Sequence, residues 1–251
     1  MVEQSFKIIG FIPARAESTR FPGKPLADIL GRPMIMRVFE RAIRCPLLNE
    51  VYVATDSQEI LQVVEKHGGR GVLTSQDHSS GTDRIAEAAR EIGLAGSDIA
   101  VNIQGDQPLF EPVMVEEVVK PLLSNPEIPM STLIYKIVRE EEITHPNAVK
   151  TVVDNEDFAI YFSRSTIPHF ANSTVEVAYY KHHGIYAYRN DFLQVFAKLP
   201  QGNLERVERL EMLRALENGY RIKVVLTDKD SIEVDTPADL ARVRETYTKM
   251  I

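Results

Sequence analysis

Apolar and polar positions follow two rhythms along the first half of the chain. The run from Phe6 to Ile12 reads as a buried strand. Met34, Ile35, Val38, Phe39, Ala42 and Ile43 then recur at helical spacing, with Arg37, Arg41 and Arg44 assigned to the opposite face. Val51 to Ala54 is a second strand. Asp56 or Ser57 can cap the helix that carries Ile60, Val63 and Val64 and stops near Gly68 and Gly69. A short strand near Gly71 to Leu73, a helix marked by Ile85, Ala88, Ala89 and Ile92 and closed by Gly93, and a strand marked by Ile99, Val101 and Ile103 follow. Pro112 suits a helix start, where its missing N–H leaves no bond unmade.

This alternation predicts an α/β fold: three layers, with a mostly parallel, mixed sheet and helices on both faces. The middle of the chain differs. From about 130 to 190 it reads as short strands, Thr132 to Val138, Ala148 to Val153, Phe158 to Phe162 and Gly184 to Tyr188. No clean linker sets this β-rich stretch apart, so residues 1–251 are expected to be one domain with a lobe in the middle. Helices from Asp191 to Ala197 and from Leu204 to Asn218, a strand from Ile222 to Leu226 and a helix from Pro237 complete the chain.

Composition narrows the partners. A formal net charge of -7 argues against a nucleic-acid surface. The one cysteine, Cys45, excludes an internal disulfide and a cysteine zinc site, which fits a cytoplasmic protein. No stretch approaches the ~20 apolar residues of a membrane span, so membrane insertion is not expected. The sequon Asn172-Ser173-Thr174 reads as a plain surface loop.

In parallel sheets, ligands bind beyond the carboxyl ends of the strands. Three polar clusters follow apolar strands: Pro13 to Pro25, Gln104 to Pro108 and Glu233 to Pro237. The first holds Arg15, Arg20 and Lys24 among small residues, including Ala14, Ala16 and Ser18. That combination suits a polyphosphate, which needs guanidinium forks, an ammonium and close backbone approach. It is neither a P-loop, since Pro25 follows Lys24, nor a dinucleotide glycine fingerprint. Asp106 and Asp235 each follow a strand. Two carboxylates facing one pocket require a cation between them, and magnesium suits a few carboxylates completed by water and phosphate oxygens. Asp106 also reads as a turn residue before Pro108, and capping of the last helix by Asp235 or Thr236 explains Asp235 about as well as metal binding does. Glu211 interrupts an apolar row between Val207 and Ala215; it either pairs with Arg214 or accepts hydrogen bonds from a polyhydroxylated ligand. Arg164 has the fork to hold a carboxylate. His182 and His183 are adjacent on a strand, point to opposite faces and do not share a metal.

The segment from Ile12 to Leu26 resembles the start of the 3-deoxy-manno-octulosonate cytidylyltransferases (CMP-Kdo synthetases), close to I-P-A-R-x-x-S-T-R-x-P-G-K-P-L. The resemblance covers nearly the whole chain: Ser80 to Arg84, Val101 to Asp106, Tyr161 to Arg164, Gly184 to Tyr186, Leu210 to Arg214 and Val234 to Pro237. It implies a nucleotide-diphospho-sugar transferase-like fold and transfer of CMP from CTP to a 3-deoxy-octulosonate sugar acid, for lipopolysaccharide biosynthesis. It implies Mg2+ on Asp106 and Asp235, with Lys24 and Arg15 also catalytic. Pro13, Ala14, Arg15, Ser18, Arg20, Lys24, Arg84 and Gln104 would bind nucleotide. Gln104, Arg164, His182, Glu211 and Asp235 would bind sugar. It also implies a homodimer formed through the middle lobe. Gln107, Met212 and His183 stand where the family commonly has Glu, Gln and Leu. These departures bear on which sugar acid is used, Kdo or an 8-amino variant, and not on nucleotidyl transfer. The alternatives are a cytidylyltransferase for another acceptor, such as sialic acid, and a non-catalytic nucleotide-binding regulator of the same fold.

Overall fold

The computed structural model describes residues 6–16, 21–171, 174 and 177–250. The expected sites Ser18 and Arg20, and Asn172 and Ser173 of the sequon, lie outside the described residues.

Among the described residues, nine strands form one sheet. They are β1 (Ile8–Ala14), β2 (Glu50–Thr55), β3 (Gly71–Leu73), β4 (Ile99–Asn102), β5 (Met130–Lys136), β6 (Lys150–Val153), β7 (Ala159–Ser163), β8 (Tyr180–Arg189) and β9 (Lys223–Thr227). The order is β3-β2-β1-β4-β8-β5-β9, with the β6–β7 hairpin branching off β8. Strands β3, β2, β1 and β4 are mutually parallel; β8 is antiparallel to both β4 and β5, and β9 runs parallel to β5. Six strands of the main path therefore point the same way, and the segments leaving β1, β2, β4 and β9 emerge at one edge. The stretch from 130 to 190 is divided: β5 and β8 lie inside the main sheet, and only β6 and β7 leave it.

The helices are α1 (Met34–Ala42), α2 (Gln58–Lys66), α3 (Gly81–Glu91), α4 (Pro112–Ser124), α5 (Glu140–Thr144), α6 (Asn190–Phe196), α7 (Asn203–Glu208), α8 (Leu213–Glu217) and α9 (Pro237–Met250). Alternation along β1 serves two cores. Ile8 and Ile12 pack with Ile35, Val38, Val115 and Val118 of α1 and α4, whereas Ile9 and Phe11 pack with Ile85, Ala89 and Leu193 on the other face. Each such side chain, fully buried, contributes about 1.5–3 kcal/mol, so both faces of the strand hold the sheet in place. A third cluster joins Ile29, Met34 and Leu109 to Val234, Leu240, Val243 and Tyr247, clasping α9 and the segment before it.

Two helical expectations are corrected. Arg41 is not on a solvent face: it is buried, and its guanidinium donates to the Phe110 carbonyl (2.6 Å) and to Glu111 (2.8 Å). A guanidinium satisfied at both ends can occupy an apolar face. The span from Leu204 to Asn218 is not one helix. Arg209 takes a left-handed conformation (φ 54°) and separates α7 from α8. Val207 is 82% exposed and Glu211 lies in the break, so the apolar row through Glu211 does not exist. Arg214 pairs instead with Glu205, and Glu211 is bonded to Thr82. Helix α5 had no counterpart in the sequence pattern; its first turn is all glutamate and none of its residues is buried.

Candidate active site

A cleft of about 960 Å³ opens at the common strand edge, lined by Pro13, Ala14, Arg15, Lys24, Arg84, Gln104, Asp106 and Asp235 among others. The strand ends build it. β1 stops at Ala14 and releases Arg15 into solvent. Gly23 takes φ 68°, a left-handed turn that favours glycine, and starts a tight helical turn over Lys24–Leu26. The turn brings Lys24 back under the sheet edge. Its ammonium donates to Asp106 Oδ2 (2.6 Å) and the Val234 carbonyl (2.9 Å), and lies 3.5 Å from Asp235 Oδ1. The chain leaving β4 passes close to β1. A Cβ on Gly105 would sit 2.8 Å from the Pro13 carbonyl oxygen, so glycine is what permits this approach. Gln104 turns the other way and donates to the Gly184 carbonyl of β8 (2.7 Å).

Asp106, Glu233 and Asp235 each offer a carboxylate oxygen, all within 4.8 Å of one another. The local chain explains this. Val234 is fully buried in the third cluster, and its N–H donates to the Asp106 carbonyl (2.9 Å). In an extended segment residues i and i+2 share a side, so Glu233 and Asp235 flank the buried valine and face Asp106. Asp235 does not cap α9. Thr236 Oγ1 accepts from the Asp239 N–H, while Asp239 accepts from the Thr236 N–H and hydroxyl. Oxygen donors of this kind, with room for water and phosphate, suit a small hard divalent cation. The residues present therefore fit magnesium, although Lys24 now lies against two of them.

Arg84 is buried beneath the cleft. It donates to Thr74 (2.6 Å) and Asp56 Oδ2 (2.6 Å), and Asp56 Oδ1 accepts the Ala16 N–H (3.1 Å). Asp56 thus ties Arg84 to the basic loop, while Ser57 caps α2. Nearby, His78 pairs with Glu87, whose carboxyl lies below its ordinary range: burial pushes it up, and the hydrogen bonds from His78 and Ser75 more than offset that.

Three expected sugar contacts lie outside the lining of this cleft. Arg164 spends three of its five N–H donors on the backbone: its guanidinium donates to the carbonyls of Glu208 (2.8 Å), Pro146 (3.0 Å) and Arg209 (3.4 Å). Glu211 accepts from Thr82 Oγ1 (2.6 Å), and burial raises its pKa. His182 bonds Thr132 Oγ1 (3.0 Å) and packs against Phe162 and Tyr186; burial holds its pKa down at about 3, so it is neutral. As expected for neighbours on a strand, His183 faces the other way, toward Asp230. Met212 is buried in the apolar cluster with Phe162 and Tyr186.

Glu233, Tyr186 and Thr82 were not singled out from the sequence as site residues. Glu233 was legible from its i, i+2 spacing with Asp235 across a valine. Tyr186 and Thr82 carried no such signal. Glu211 Oε1 and the Tyr186 hydroxyl are buried without a hydrogen-bond partner among the described residues.

Comparison with known proteins agrees with this geometry. A family model described as cytidylyltransferase matches residues 9–224. The 3-deoxy-manno-octulosonate cytidylyltransferase of Syntrophus aciditrophicus (strain SB) is 57% identical over 239 residues, covering 95% of this chain and 96% of that protein. The 8-amino-3,8-dideoxy-manno-octulosonate cytidylyltransferase of Shewanella piezotolerans is 52% identical over 230 residues, covering 91% and 94%. Among solved structures, CMP:2-keto-3-deoxy-manno-octonic acid synthetase complexed with CTP superposes with a TM-score of 0.92 at 41% identity, covering 98% of this chain and 100% of that one. A match of this extent, on a chain whose basic loop and converging carboxylates meet in one cleft, shows that the protein belongs to the cytidylyltransferase family.

Proposed function

We propose that the protein transfers CMP from CTP to the anomeric hydroxyl of a 3-deoxy-octulosonate sugar acid, Kdo or its 8-amino variant, and releases pyrophosphate. The observation that carries this reading is the meeting of Arg15 and Lys24 with Asp106, Glu233 and Asp235 in one cleft. The sugar hydroxyl attacks the α-phosphate in line, and most of the rate enhancement comes from positioning and charge neutralisation. Arg15 and Lys24 stabilise the charge developing on the leaving pyrophosphate. Pro13, Ala14 and Gln104 shape the nucleotide floor, and Arg84 anchors the basic loop through Asp56. Asp106 and Asp235, with Glu233 beside them, are the residues that would hold Mg2+. Bound there, the ion supplies Lewis-acid polarisation of phosphate oxygens and acidifies the acceptor hydroxyl. With the ion held there, the Lys24 ammonium would be available to phosphate instead of to the carboxylates it now faces. Glu211, Tyr186 and His182 provide the buried polar surface for the sugar. Arg164 serves there by bracing Glu208 and Arg209; three of its donors are committed to carbonyls.

Lipopolysaccharide biosynthesis is the process that uses such a product. The lone, buried cysteine suits the reducing cytoplasm. A homodimer is consistent with the exposed Ile160 on the β6–β7 hairpin. No helix among the described residues is long and apolar enough to cross a membrane.

The test is pyrophosphate release, measured with each nucleoside triphosphate against Kdo, 8-amino-Kdo and sialic acid, with and without Mg2+. Release with CTP, an octulosonate and Mg2+ together supports the assignment. Release with sialic acid in preference, or undiminished after chelation, overturns the acceptor or the metal assignment respectively. No release with any pair favours the regulator.

A further inference from the structure

On the face of β8 opposite His182 lies a buried charged cluster that the reaction above does not use. Lys181 donates to Glu142 of α5 (2.8 Å) and pairs with Asp230 (2.9 Å), and its ammonium stands over the Tyr135 ring at 5.3 Å. His183 Nε2 lies 3.6 Å from Asp230 Oδ1, and Arg139 closes onto Glu142. Lys181 and His183 are buried. Lys181 bridges the two carboxylates directly, so the cluster acts as a clamp between α5, β8 and the segment after β9.

What the clamp holds is the segment after β9. Asp230 precedes Glu233 by three residues and Asp235 by five. This segment has no strand or helix of its own between Thr227 and Pro237. Beyond Val234, which is held by Lys24, by Asp106 and by its own burial, Asp230 is its charged anchor on the central sheet. Asp230 is itself half-buried, its side chain 34% exposed, so the anchor can be altered without opening the core.

We infer that Lys181 and Asp230 are positioning residues: they lock the segment that carries Glu233 and Asp235 onto β8, and so set the geometry in which those carboxylates meet Asp106. The inference rests on reading Asp106, Glu233 and Asp235 as the metal site. The clamp acts one step further out than groups bonded directly to a metal ligand, whose loss typically weakens binding about 10- to 100-fold, so the low end of that range is expected here.

The experiment is a titration with Mn2+ alone, followed by electron paramagnetic resonance. It compares wild type, Asp230→Asn, Lys181→Met, Lys181→Arg and, as a control, Asp235→Asn. Melting temperature and the kcat and apparent KM for Mg2+ are measured in parallel. Asp230→Asn is expected to weaken Mn2+ binding about tenfold and to raise the apparent KM for Mg2+ comparably. Its kcat at saturating metal should stay within about twofold of wild type, since the clamp touches no reacting atom. Lys181→Met should do the same, and Lys181→Arg should restore affinity. Wild-type Mn2+ affinity in a folded Asp230→Asn, with binding lost in Asp235→Asn, overturns the clamp and leaves the metal site standing. Absence of Mn2+ binding by the wild type, or undiminished binding in Asp235→Asn, overturns both. If Lys181→Met fails to fold, Asp230→Asn and the arginine rescue decide the matter.

Discussion

The two halves of the site are built on different principles. The nucleotide half is an open strand edge: Arg15 is exposed, and Lys24, on a short turn, lies against three oxygens, those of Asp106, Asp235 and the Val234 carbonyl. The acceptor half is closed and internally bonded. Arg164 is spent on carbonyls, His182 is wedged between rings, and Glu211 is buried against Thr82. An edge that presents the exposed Arg15 beside a lysine on a short turn suits a flexible, highly charged tail. A buried polar surface must instead be complementary beforehand, because each unmatched polar atom there is costly. On the proposed assignment of the two halves, charge would grip the nucleotide, and shape together with hydrogen bonding would select the acceptor.

The sharpest way to break this contrast is Asp235→Asn. It keeps the shape of the nucleotide half and removes a carboxylate from the trio. Turnover should fall on the order of 10²–10³-fold, the scale for losing one preorganised electrostatic group. CTP binding, measured by calorimetry without the acceptor, should persist. Wild-type turnover would remove Asp235 from the mechanism.

Next in size is the frame of the acceptor half. Arg214 and Glu205 form a two-bond pair (2.9 and 2.6 Å) with side chains only 7% and 5% exposed, and Arg214 also faces Asp83 and the Phe196 ring. Glu205→Gln removes the nearest charge facing that buried guanidinium and leaves Asp83 at 3.8 Å, at a cost of about 2 kcal/mol in stability. Urea unfolding measures it. The KM for the sugar acid should rise while CTP binding holds. Equal damage to both substrates would show that the halves are not separable.

The same contrast explains what the sequence revealed. The nucleotide half is legible in the sequence because strand polarity is a general rule: once β1, β4 and β9 are parallel, whatever follows them meets at one edge, which brings Arg15, Lys24, Gln104, Asp106 and Asp235 together. The capping alternative for Asp235 dissolved only when Thr236 was seen to cap α9. The acceptor half depends on contacts between distant segments. Thr82 and Glu211 are 129 residues apart, and Arg164 meets its carbonyl partner Glu208 across 44. No spacing rule encodes such pairs. Helical periodicity even misled there, because a left-handed residue at Arg209 breaks a pattern that looked continuous from Leu204 to Asn218. Helix polarity failed at Arg41 for a related reason: its partners, Phe110 and Glu111, come from elsewhere in the chain.

Glu211→Gln probes selection with less disruption. Burial already raises the pKa of this carboxyl, and the amide keeps its volume. One charge-assisted hydrogen bond to the acceptor would be lost, which raises the KM for the sugar acid about tenfold. The KM for CTP should not change. A matching rise for CTP would place Glu211 in the nucleotide half.

The smallest effect concerns the two faces of β8. Burial holds His183 at about 4 and His182 at about 3, against an ordinary 6.5. For His183 the Asp230 and Glu142 carboxylates oppose that shift and Lys181 adds to it, and Tyr135 packs against the ring. Both imidazoles are neutral in the folded protein. Below about pH 6.5 the unfolded chain binds protons that the folded one refuses. Stability therefore falls as the pH drops through 6.5, and for His183 it levels off only below about 4. Between pH 7.5 and pH 6 each histidine accounts for a loss on the order of 1 kcal/mol. His183→Leu removes one of the two contributions and leaves the His182 face untouched. Urea unfolding at the two pH values should thus show a shallower acid loss in the variant. An unchanged loss would mean that burial does not hold the His183 pKa below its unfolded value, and a deeper loss would mean that pairing with Asp230 keeps it charged in the folded state.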